Sequence, residues 1–328
     1  AKLKVKRLQV NMQFVGWILL RLLKQFEIDL IISDISMPKM DGIELLKAIK
    51  KNHSEIKIIM LSMLDNHRTV HKVIQKGAHG FVPKFTSKEE LQKAVRTLVK
   101  FGADHIKIVA TGGILSSGDA VDHPQYSDEE LRAVVEEAGR LGRKVIAHAH
   151  GAEGLKAAVR AGVASIEHGS LVDAEGIELM KERGAFIVPT LLILDEIIEF
   201  GEERGIPEYS IQKAIEMSDL RETALRKAYQ EGVRFAFGTD ASGNLHGRNA
   251  QEFEVMIETL GARPMQVIQN ATYDAAELLG ILDQVGTLEV GKWADIIAVA
   301  GNPLEDITLL ETVNFVMKAG EIYKHLDK

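Results

Sequence analysis

The chain has 328 residues, 46% of them hydrophobic and 27% charged, so it is long enough to bury a large globular core. Its formal net charge is −7 and its lysines and arginines do not gather in a stripe, which argues against a nucleic-acid or anionic membrane partner. The absence of cysteine excludes disulfides and thiolate metal ligands, and it suits the reducing cytoplasm. Nothing in the composition indicates a protein partner.

An apolar run near the N-terminus, Phe14–Leu23, is about half as long as the ~20 residues that cross a bilayer. Arg21 also interrupts it, and it lacks a small-residue cleavage signature, so the run predicts neither a membrane span nor a signal peptide. We interpret Trp17–Phe26 as a buried amphipathic helix.

Further along, short apolar runs alternate with helical patterns. Each run is rich in Ile, Val, Leu, Phe or Ala and has the length of a buried parallel strand. The predicted strands are Leu30–Ser33, Lys57–Ser62, Gly80–Pro83, Ile106–Ala110, Val145–His148, Ser165–Glu167, Phe186–Pro189 and Arg234–Gly238. The helices predicted between them are Gly42–Lys51, Ser87–Val99, Ser127–Leu141, Ala152–Ala161 and Asp173–Arg183.

The helix boundaries carry their own signals. Ser87 and Ser127 are each followed three residues later by a glutamate, Glu90 and Glu130, which is the pattern of a capping box. Glycine tolerates the left-handed backbone that ends many helices, and it stands where helices should stop, at Gly102, Gly142, Gly162 and Gly184.

Eight strands alternating with helices indicate parallel βα units, in either a closed (βα)8 barrel or a doubly wound sheet. The number favours an α/β barrel of the TIM type, with a ninth strand if Leu8–Phe14 contributes one. The C-terminal residues differ, because Gly286–Ala300 and Val313–Tyr323 are predicted strands separated by a turn at Gly301–Pro303. We predict a small β appendage there, to which Leu3–Val10 could add a strand.

Three segments in the first hundred residues have a specific order and spacing. Asp29–Gly42 has the sequence DLIISDISMPKMDG, Lys57–Ser62 is an apolar strand ending in a hydroxyl, and Gly77–Lys84 is a strand ending in a lysine. Over about residues 25–100 this pattern closely resembles the receiver domain of response regulators. The resemblance implies that Asp34 is the phosphoacceptor, Ser62 the hydroxyl switch and Lys84 the cation that pairs with the phosphoryl group.

Receiver chemistry also needs Mg²⁺, which further carboxylates at the end of the family's first strand hold. The segment Lys2–Asn11 contains no acidic residue, so that strand is expected to be absent. We therefore favour the interpretation of Asp34 as an inherited strand-end residue, with Asp41 forming the turn that follows. No helix-turn-helix module follows either, and DNA regulation is not expected.

A second set of segments begins near Asp104. Their sequences are IKIVATGG at 106–113, VIAHAHG at 145–151, SIEHG at 165–169, FGTDA at 237–241, GTLEVGKWAD at 286–295 and VMKAGEIY at 316–323. Over more than 220 residues they resemble the metal-dependent amidohydrolases, in the branch of imidazolonepropionase and prolidase. The first four lie at the C-terminal ends of predicted strands, where barrel enzymes place their chemistry.

This second resemblance implies a metal site. Lys107 would be a strand lysine that is carboxylated to bridge metals, since an unmodified ammonium cannot bind a cation. His148 and His168 would be neutral imidazole ligands of the kind that zinc prefers, and Asp240 both a ligand and the general base for the attacking water. His150 shares a strand face with His148 and would contact the substrate or act as a secondary ligand.

The family's His-x-His pair is missing before Lys107. One of the family's two metal positions is therefore expected to be dismantled, whereas the other could survive with three protein ligands and one Zn²⁺. The alternative interpretation is that these histidines are inherited without any metal.

Five strands from the second set and three from the first add up to eight, which we interpret as receiver strands replacing the first barrel strands. The prediction is an engineered chimera, produced recombinantly: receiver-derived units at 1–103, amidohydrolase barrel units at 104–283 and a β appendage at 284–328. Its predicted role is a non-catalytic scaffold with a partial metal site. The alternatives are a weak metal-dependent amidohydrolase acting on acyl-amino-acid or dipeptide bonds, and a phosphoaccepting receiver at Asp34.

Overall fold

A computed structural model describes residues 23, 30–35, 41–62, 72–83, 88–116, 120–241 and 245–325. The chain divides into two compact units, residues 1–90 and 91–328. Several predictions lie outside the described residues, namely those for Leu3–Val10, Leu8–Phe14, Ser87, Lys84 and, apart from Leu23, Trp17–Phe26.

Three parallel strands form the sheet of the first unit, in the order β1 (Leu30–Asp34), β2 (Lys57–Ser62) and β3 (Gly80–Pro83). Helix α1 (Gly42–Asn52) connects the first two strands. The three predicted strands are confirmed to within a residue, and their near-continuous apolar sequences suit a covered sheet. The buried side chains of this unit include Leu45, Leu46, Ile49, Ile58 and Met60.

The start of α1 explains the Asp-Gly pair at residues 41 and 42. Asp41, predicted to form a turn, is the N-cap of α1, and its carboxylate accepts a hydrogen bond from the Glu44 amide at 2.7 Å. A Cβ atom on Gly42 would lie 1.9 Å from the carbonyl oxygen of Asp34, so only glycine fits there. Asp34 itself is buried at the end of β1.

Five parallel strands in chain order form the main sheet of the second unit. They are β4 (His105–Val109), β5 (Lys144–Ala149), β6 (Ser165–His168), β7 (Phe186–Val188) and β8 (Arg234–Phe235). Helix α2 (Lys88–Lys100) precedes β4, and the crossovers contain α3 (Asp128–Arg140), α4 (Ala152–Ala161) and α5 (Ala174–Arg183). Because the strands are parallel, their carboxyl ends lie at one edge of this sheet.

The predicted helix boundaries in this unit are confirmed. The Ser127 hydroxyl accepts a hydrogen bond from the Glu130 amide, and the Glu130 carboxylate accepts one from the Ser127 amide at 2.8 Å, so the capping box is complete. The predicted stop glycines all have left-handed backbones, with φ of 89° at Gly102, 67° at Gly142, 101° at Gly162 and 66° at Gly184.

Most of the helices that the sequence did not predict lie between residues 190 and 280. They are α6 (Leu191–Phe200), α7 (Glu208–Gln230), α8 (Gln251–Leu260), α9 (Pro264–Gln269) and α10 (Ala275–Leu279), with a π-helical turn at Asn270–Asp274. The first half of α6 is the run Leu-Leu-Ile-Leu, whose pattern does not distinguish a buried helix from a buried strand. Helices α6 and α7 together connect β7 to β8.

The C-terminal residues form a separate antiparallel sheet in the order β11-β10-β9. Its strands are β9 (Ile296–Val299), β10 (Val313–Lys318) and β11 (Glu321–His325). The predicted strand Val313–Tyr323 is therefore wrong as a single strand, because Ala319 and Gly320 adopt left-handed backbones and turn it into a hairpin. The predicted strand Gly286–Ala300 is reduced to β9, since Gly286 and Gly291 also have positive φ.

The main core of the second unit lies between its parallel sheet and the helices around it. Fully buried members include Leu155, Ile166, Ile177, Ile187 and Phe235. These side chains hold the strands in register and so place the residues at the carboxyl edge. Within the described ranges, no helix combines the length and apolar character that a membrane crossing requires.

Candidate metal centre

Three histidines meet at the carboxyl ends of β5 and β6. His148 lies in β5, His150 directly follows that strand, and His168 is the last residue of β6, paired with Ala149. Their ring centroids are 4.6–4.8 Å apart, and one nitrogen from each ring lies within 4.8 Å of the others. His150 and His168 are buried and His148 is half-buried. Parallel pairing of two neighbouring strands therefore brings together side chains that are twenty residues apart.

The backbone at this edge is strained at three points. His168, Thr190 and Asp240 have φ of 75°, 48° and 47°, and they lie at or after the ends of β6, β7 and β8. Left-handed backbone at a non-glycine residue costs of order 1–3 kcal/mol, and it persists where the surrounding structure enforces it, often at functional sites. Among the described residues the other such case is Ala319, in the hairpin of the C-terminal sheet.

Each ring has one nitrogen occupied by a hydrogen bond. His150 Nδ1 lies 2.8 Å from the Ser170 hydroxyl, His168 Nδ1 lies 2.6 Å from the Thr190 hydroxyl, and His148 Nε2 lies 3.4 Å from the Gly112 carbonyl. A histidine that binds a metal commonly uses its second nitrogen in this way, which fixes both its tautomer and its orientation. The nitrogens left over are Nδ1 of His148 and Nε2 of the other two rings.

The environment keeps these imidazoles neutral. Burial, opposed by the hydrogen bond to Gly112 and assisted by the charge of Lys107, lowers the pKa of His148 to about 4. Burial also lowers the pKa of His150 and His168 well below the usual value, with smaller contributions from neighbouring positive charges. The neutral form is the one that can bind a cation.

Lys107 and Asp240 lie near the same edge. Lys107 is an exposed residue of β4, and its positive charge lowers the pKa of His148, His168 and Asp240. Desolvation raises the pKa of the Asp240 carboxyl group, which Lys107 only partly offsets. The cluster that the geometry brings together consists of His148, His150 and His168, and the charge of Lys107 acts on two of its rings. The individual roles of Lys107, His148, His168, Asp240 and His150 stay predictions.

The donor set fits a divalent transition metal. Three neutral imidazole nitrogens suit zinc and its neighbours, and three protein ligands leave a position open for other groups. An ammonium at Lys107 cannot bind a cation, so that residue could join the ligands only as its carbamate.

Sequence reasoning missed the residues that support this cluster. The Thr111 hydroxyl is fully buried and accepts a hydrogen bond from the His150 amide at 2.9 Å. Ser170 and Thr190 contact the rings, and Glu252 accepts hydrogen bonds from Leu191 and Leu192. Thr111 lies inside a segment that resembled the family, but nothing in the sequence connects Glu252 with the start of a helix about sixty residues earlier.

In the first unit, Asp34 and Ser62 lie at the ends of the neighbouring strands β1 and β2, where Asp34 pairs with Leu61. Lys84 lies outside the described residues. The phosphoacceptor role of this set stays a prediction.

A parallel α/β sheet with histidines gathered at its carboxyl edge is the arrangement of barrel-type metal-dependent enzymes. The chain belongs to the amidohydrolase family, whose model matches residues 40–324. Ochratoxinase of Aspergillus niger is 38% identical to it over 240 residues, which are 72% of this chain and 49% of that protein. The chain thus spans about half the length of this curated relative.

Solved structures extend the likeness to nearly the whole chain. A Xaa-Pro dipeptidase with bound methionine in its active site superposes with a TM-score of 0.72 at 36% identity, covering 99% of this chain and 81% of that one. The crystal structure of A. niger ochratoxinase has a TM-score of 0.68 at 30% identity, covering 91% and 72%. The predicted α/β, TIM-barrel-like fold with a small C-terminal β appendage is confirmed.

The predicted role as a non-catalytic scaffold is wrong. These relatives are hydrolases, and membership of a family that hydrolyses C–N bonds contradicts it. The prediction took the missing His-x-His pair to leave only a partial metal site without activity. In the structure, β5 and β6 bring three histidine nitrogens within 4.8 Å of one another, and three protein ligands are the number that a catalytic zinc ion uses.

The predicted chimera is not established. The transcriptional regulatory protein DegU of Brevibacillus brevis is 30% identical over 82 residues, 25% of this chain and 35% of that protein. Imidazolonepropionase of Rhizobium rhizogenes is 30% identical over 183 residues, 52% of this chain and 38% of that protein. However, the amidohydrolase match begins at residue 40 and includes most of the segment assigned to a receiver, and an engineered origin has no support.

Proposed function

We propose that the chain is a metal-dependent amidohydrolase of the imidazolonepropionase and prolidase branch, which cleaves the amide bond of an N-acyl amino acid or a dipeptide. The observation that carries the proposal is the cluster of His148, His150 and His168 at the carboxyl edge of the sheet, with its donor nitrogens within 4.8 Å. A Xaa-Pro dipeptidase that superposes on nearly all of the chain supports the substrate class.

The three histidines would hold one zinc ion, and Lys107 would join them as a carbamate. Zinc held there would supply Lewis acidity, which polarises a carbonyl group and lowers the pKa of water. Asp240 would accept the proton of the attacking water and deliver it to the leaving nitrogen, which must be protonated for the C–N bond to break. The strained backbone at Asp240 supports this role, because left-handed backbone at a non-glycine residue is concentrated at functional sites.

The substrate would be a small molecule. A net charge of −7 without a basic stripe gives no attraction for nucleic acid or for anionic lipid, and we propose no protein partner.

Elemental analysis together with a hydrolysis assay tests this function. We expect about one zinc per chain in the wild type and hydrolysis of at least one member of a panel of N-acyl amino acids and Xaa-Pro dipeptides. The variant His148→Ala/His168→Ala should lose both. His105→Ala is the matched control, since His105 lies at the opposite end of β4 and should keep both properties. A wild-type protein that binds no zinc would refute the proposal.

A further inference from the structure

The N-terminus of α6 is capped in an unusual way. Thr190 occupies the N-cap position, where a threonine hydroxyl normally accepts a hydrogen bond from an amide of the first helical turn. Here its backbone is left-handed, with φ 48° and ψ 54°, and its side chain makes no capping bond. The hydroxyl contacts His168 Nδ1 at 2.6 Å instead. The first amides of α6 therefore need another acceptor.

Glu252 provides that acceptor from a different helix. Its two carboxylate oxygens accept hydrogen bonds from the Leu191 amide at 2.7 Å and the Leu192 amide at 2.8 Å. The Glu252 side chain is completely buried in α8. Burying a carboxyl group destabilises the folded state unless the group is hydrogen-bonded. The two hydrogen bonds to the α6 amides are therefore required where Glu252 is buried.

Arg221 of α7 also holds the start of α6. Its guanidinium donates hydrogen bonds to the Leu191 carbonyl and to the Asp195 carboxylate, both at 2.9 Å. The start of α6 is thus held by one side chain from α7 and one from α8. Thr190, the residue immediately before α6, has its position set by these contacts.

We propose that Glu252 is a positioning residue for His168: it caps α6 in place of Thr190 and so leaves the Thr190 hydroxyl free to orient the His168 ring. This inference rests on the proposed metal site. Outer partners of this kind fix the tautomer and direction of a ligating histidine, and their loss typically weakens metal binding about 10–100-fold. Glu252 acts on His168 indirectly, through Thr190, and contacts no reacting group.

The first test measures zinc affinity by competition with a chromophoric chelator. Glu252→Gln keeps the size of the side chain but places an amide NH₂ against a backbone N–H, and Thr190→Val removes the hydroxyl. Both should weaken zinc binding about 10–100-fold. Two control variants, Glu254→Gln on the exposed face of the same helix and Thr190→Ser with its hydroxyl retained, should bind zinc like the wild type.

A double-mutant cycle separates positioning from general stability. If Glu252 acts through Thr190, the variant Glu252→Gln/Thr190→Val should bind zinc no more weakly than Thr190→Val alone. Additive losses would overturn the proposal, and so would a Glu252→Gln protein that is less stable but keeps wild-type affinity. If Glu252→Gln does not fold, Glu252→Asp, which keeps the carboxyl group and withdraws it by one methylene, replaces it in the cycle.

The second test needs no metal. In the ¹⁵N spectrum of the metal-free protein, Glu252→Gln and Thr190→Val should shift the His168 Nδ1 resonance, whereas Glu254→Gln should not. An unchanged resonance in Glu252→Gln would overturn the proposal. A wild-type protein that binds no zinc would refute the proposed function, and this spectrum would still decide the role of Glu252.

Discussion

At the scale of single residues, the histidine cluster depends on hydroxyl groups outside the three rings. Hydroxyls of Ser170 and Thr190 contact two of the rings, and the Thr111 hydroxyl holds the backbone of His150. A hydroxyl group can donate or accept a hydrogen bond, so it can pair with either kind of buried polar group. The orientation of the histidine rings is therefore set by common serine and threonine side chains.

The substitution Thr111→Val tests how much one of these hydroxyl groups contributes to the free energy of unfolding. It keeps the shape of the side chain and removes the acceptor of the buried His150 amide, which is 2.9 Å away. An unpaired buried donor costs about 1–3 kcal/mol, so we expect a loss of that size in the free energy of unfolding, measured in urea. Thr111→Ser keeps the hydroxyl and should lose at most about 1 kcal/mol for the missing methyl group. Equal stability of Thr111→Val and the wild type would contradict this assignment.

At the scale of elements, α4 packs closely against the end of β4 through a glycine. A Cβ atom on Gly154 would lie 2.4 Å from Thr111 Cγ2 and 3.0 Å from the Ala110 carbonyl oxygen. Gly139 in α3 is the counterpart without a neighbour, because nothing lies within 4 Å of its added Cβ. The two helices thus contain one glycine that is required by packing and one that is not.

This contrast predicts substitutions of opposite sign. Alanine is preferred to glycine inside a helix by up to about 1 kcal/mol, so Gly139→Ala should stabilise the protein slightly. Gly154→Ala should destabilise it by about 1–3 kcal/mol, because a crowded Cβ displaces Thr111 or the backbone behind it. Urea unfolding of the two variants measures both effects. Stabilisation by both substitutions would show that α4 is not in close contact with the end of β4.

Helices α2 and α3 are joined by a carboxylate between two guanidinium groups. The buried Glu137 accepts hydrogen bonds from Arg96 at 2.8 Å and from Arg140 at 2.5 Å. These bonds lower the pKa of Glu137 from 4.5 to about 2. The folded state therefore binds this proton more weakly than the unfolded state does.

The lowered pKa of Glu137 determines how the stability of the Glu137→Gln variant, relative to the wild type, should depend on pH. Because the folded pKa is lowered, the stabilisation by the ionised carboxylate is fully present above the unfolded pKa of 4.5 and disappears as the pH falls towards 2. The variant should melt below the wild type at pH 7, and the difference should narrow between pH 4.5 and pH 2. Thermal unfolding at several pH values measures it. A difference that stays constant over this range would assign the effect to packing.

At the scale of the whole molecule, metal binding and stability should be coupled. A ligand that binds only the folded state stabilises it by about 2.7 kcal/mol when its free concentration is one hundred times its dissociation constant. Zinc at that excess should raise the unfolding midpoint of the wild type, and a chelator should reverse the effect. His148→Ala/His168→Ala should show neither response. Equal responses in both proteins would place the zinc elsewhere.

Much of this architecture could be predicted from the sequence. The strands β1 to β7 were found to within two residues, because their apolar runs are bounded by helix caps and stop glycines. Only the first two residues of the predicted strand Arg234–Gly238 form β8. Helix α6 was missed because its apolar run has no clear period, and the hairpin of β10 and β11 because Ala319 is not a typical turn residue.

The family, the class of fold, and His148, His150 and His168 as candidate site residues could all be predicted without the structure, because periodicity, capping and short motifs are local properties. That these three rings form one cluster depends on the register of β5 against β6, which is a property of the folded chain. The same holds for the residues that support the cluster. Thr111 and Thr190 contact the cluster from other segments, and Glu252 caps the helix that follows Thr190. Contacts between residues far apart in the chain leave no periodic signal in the sequence.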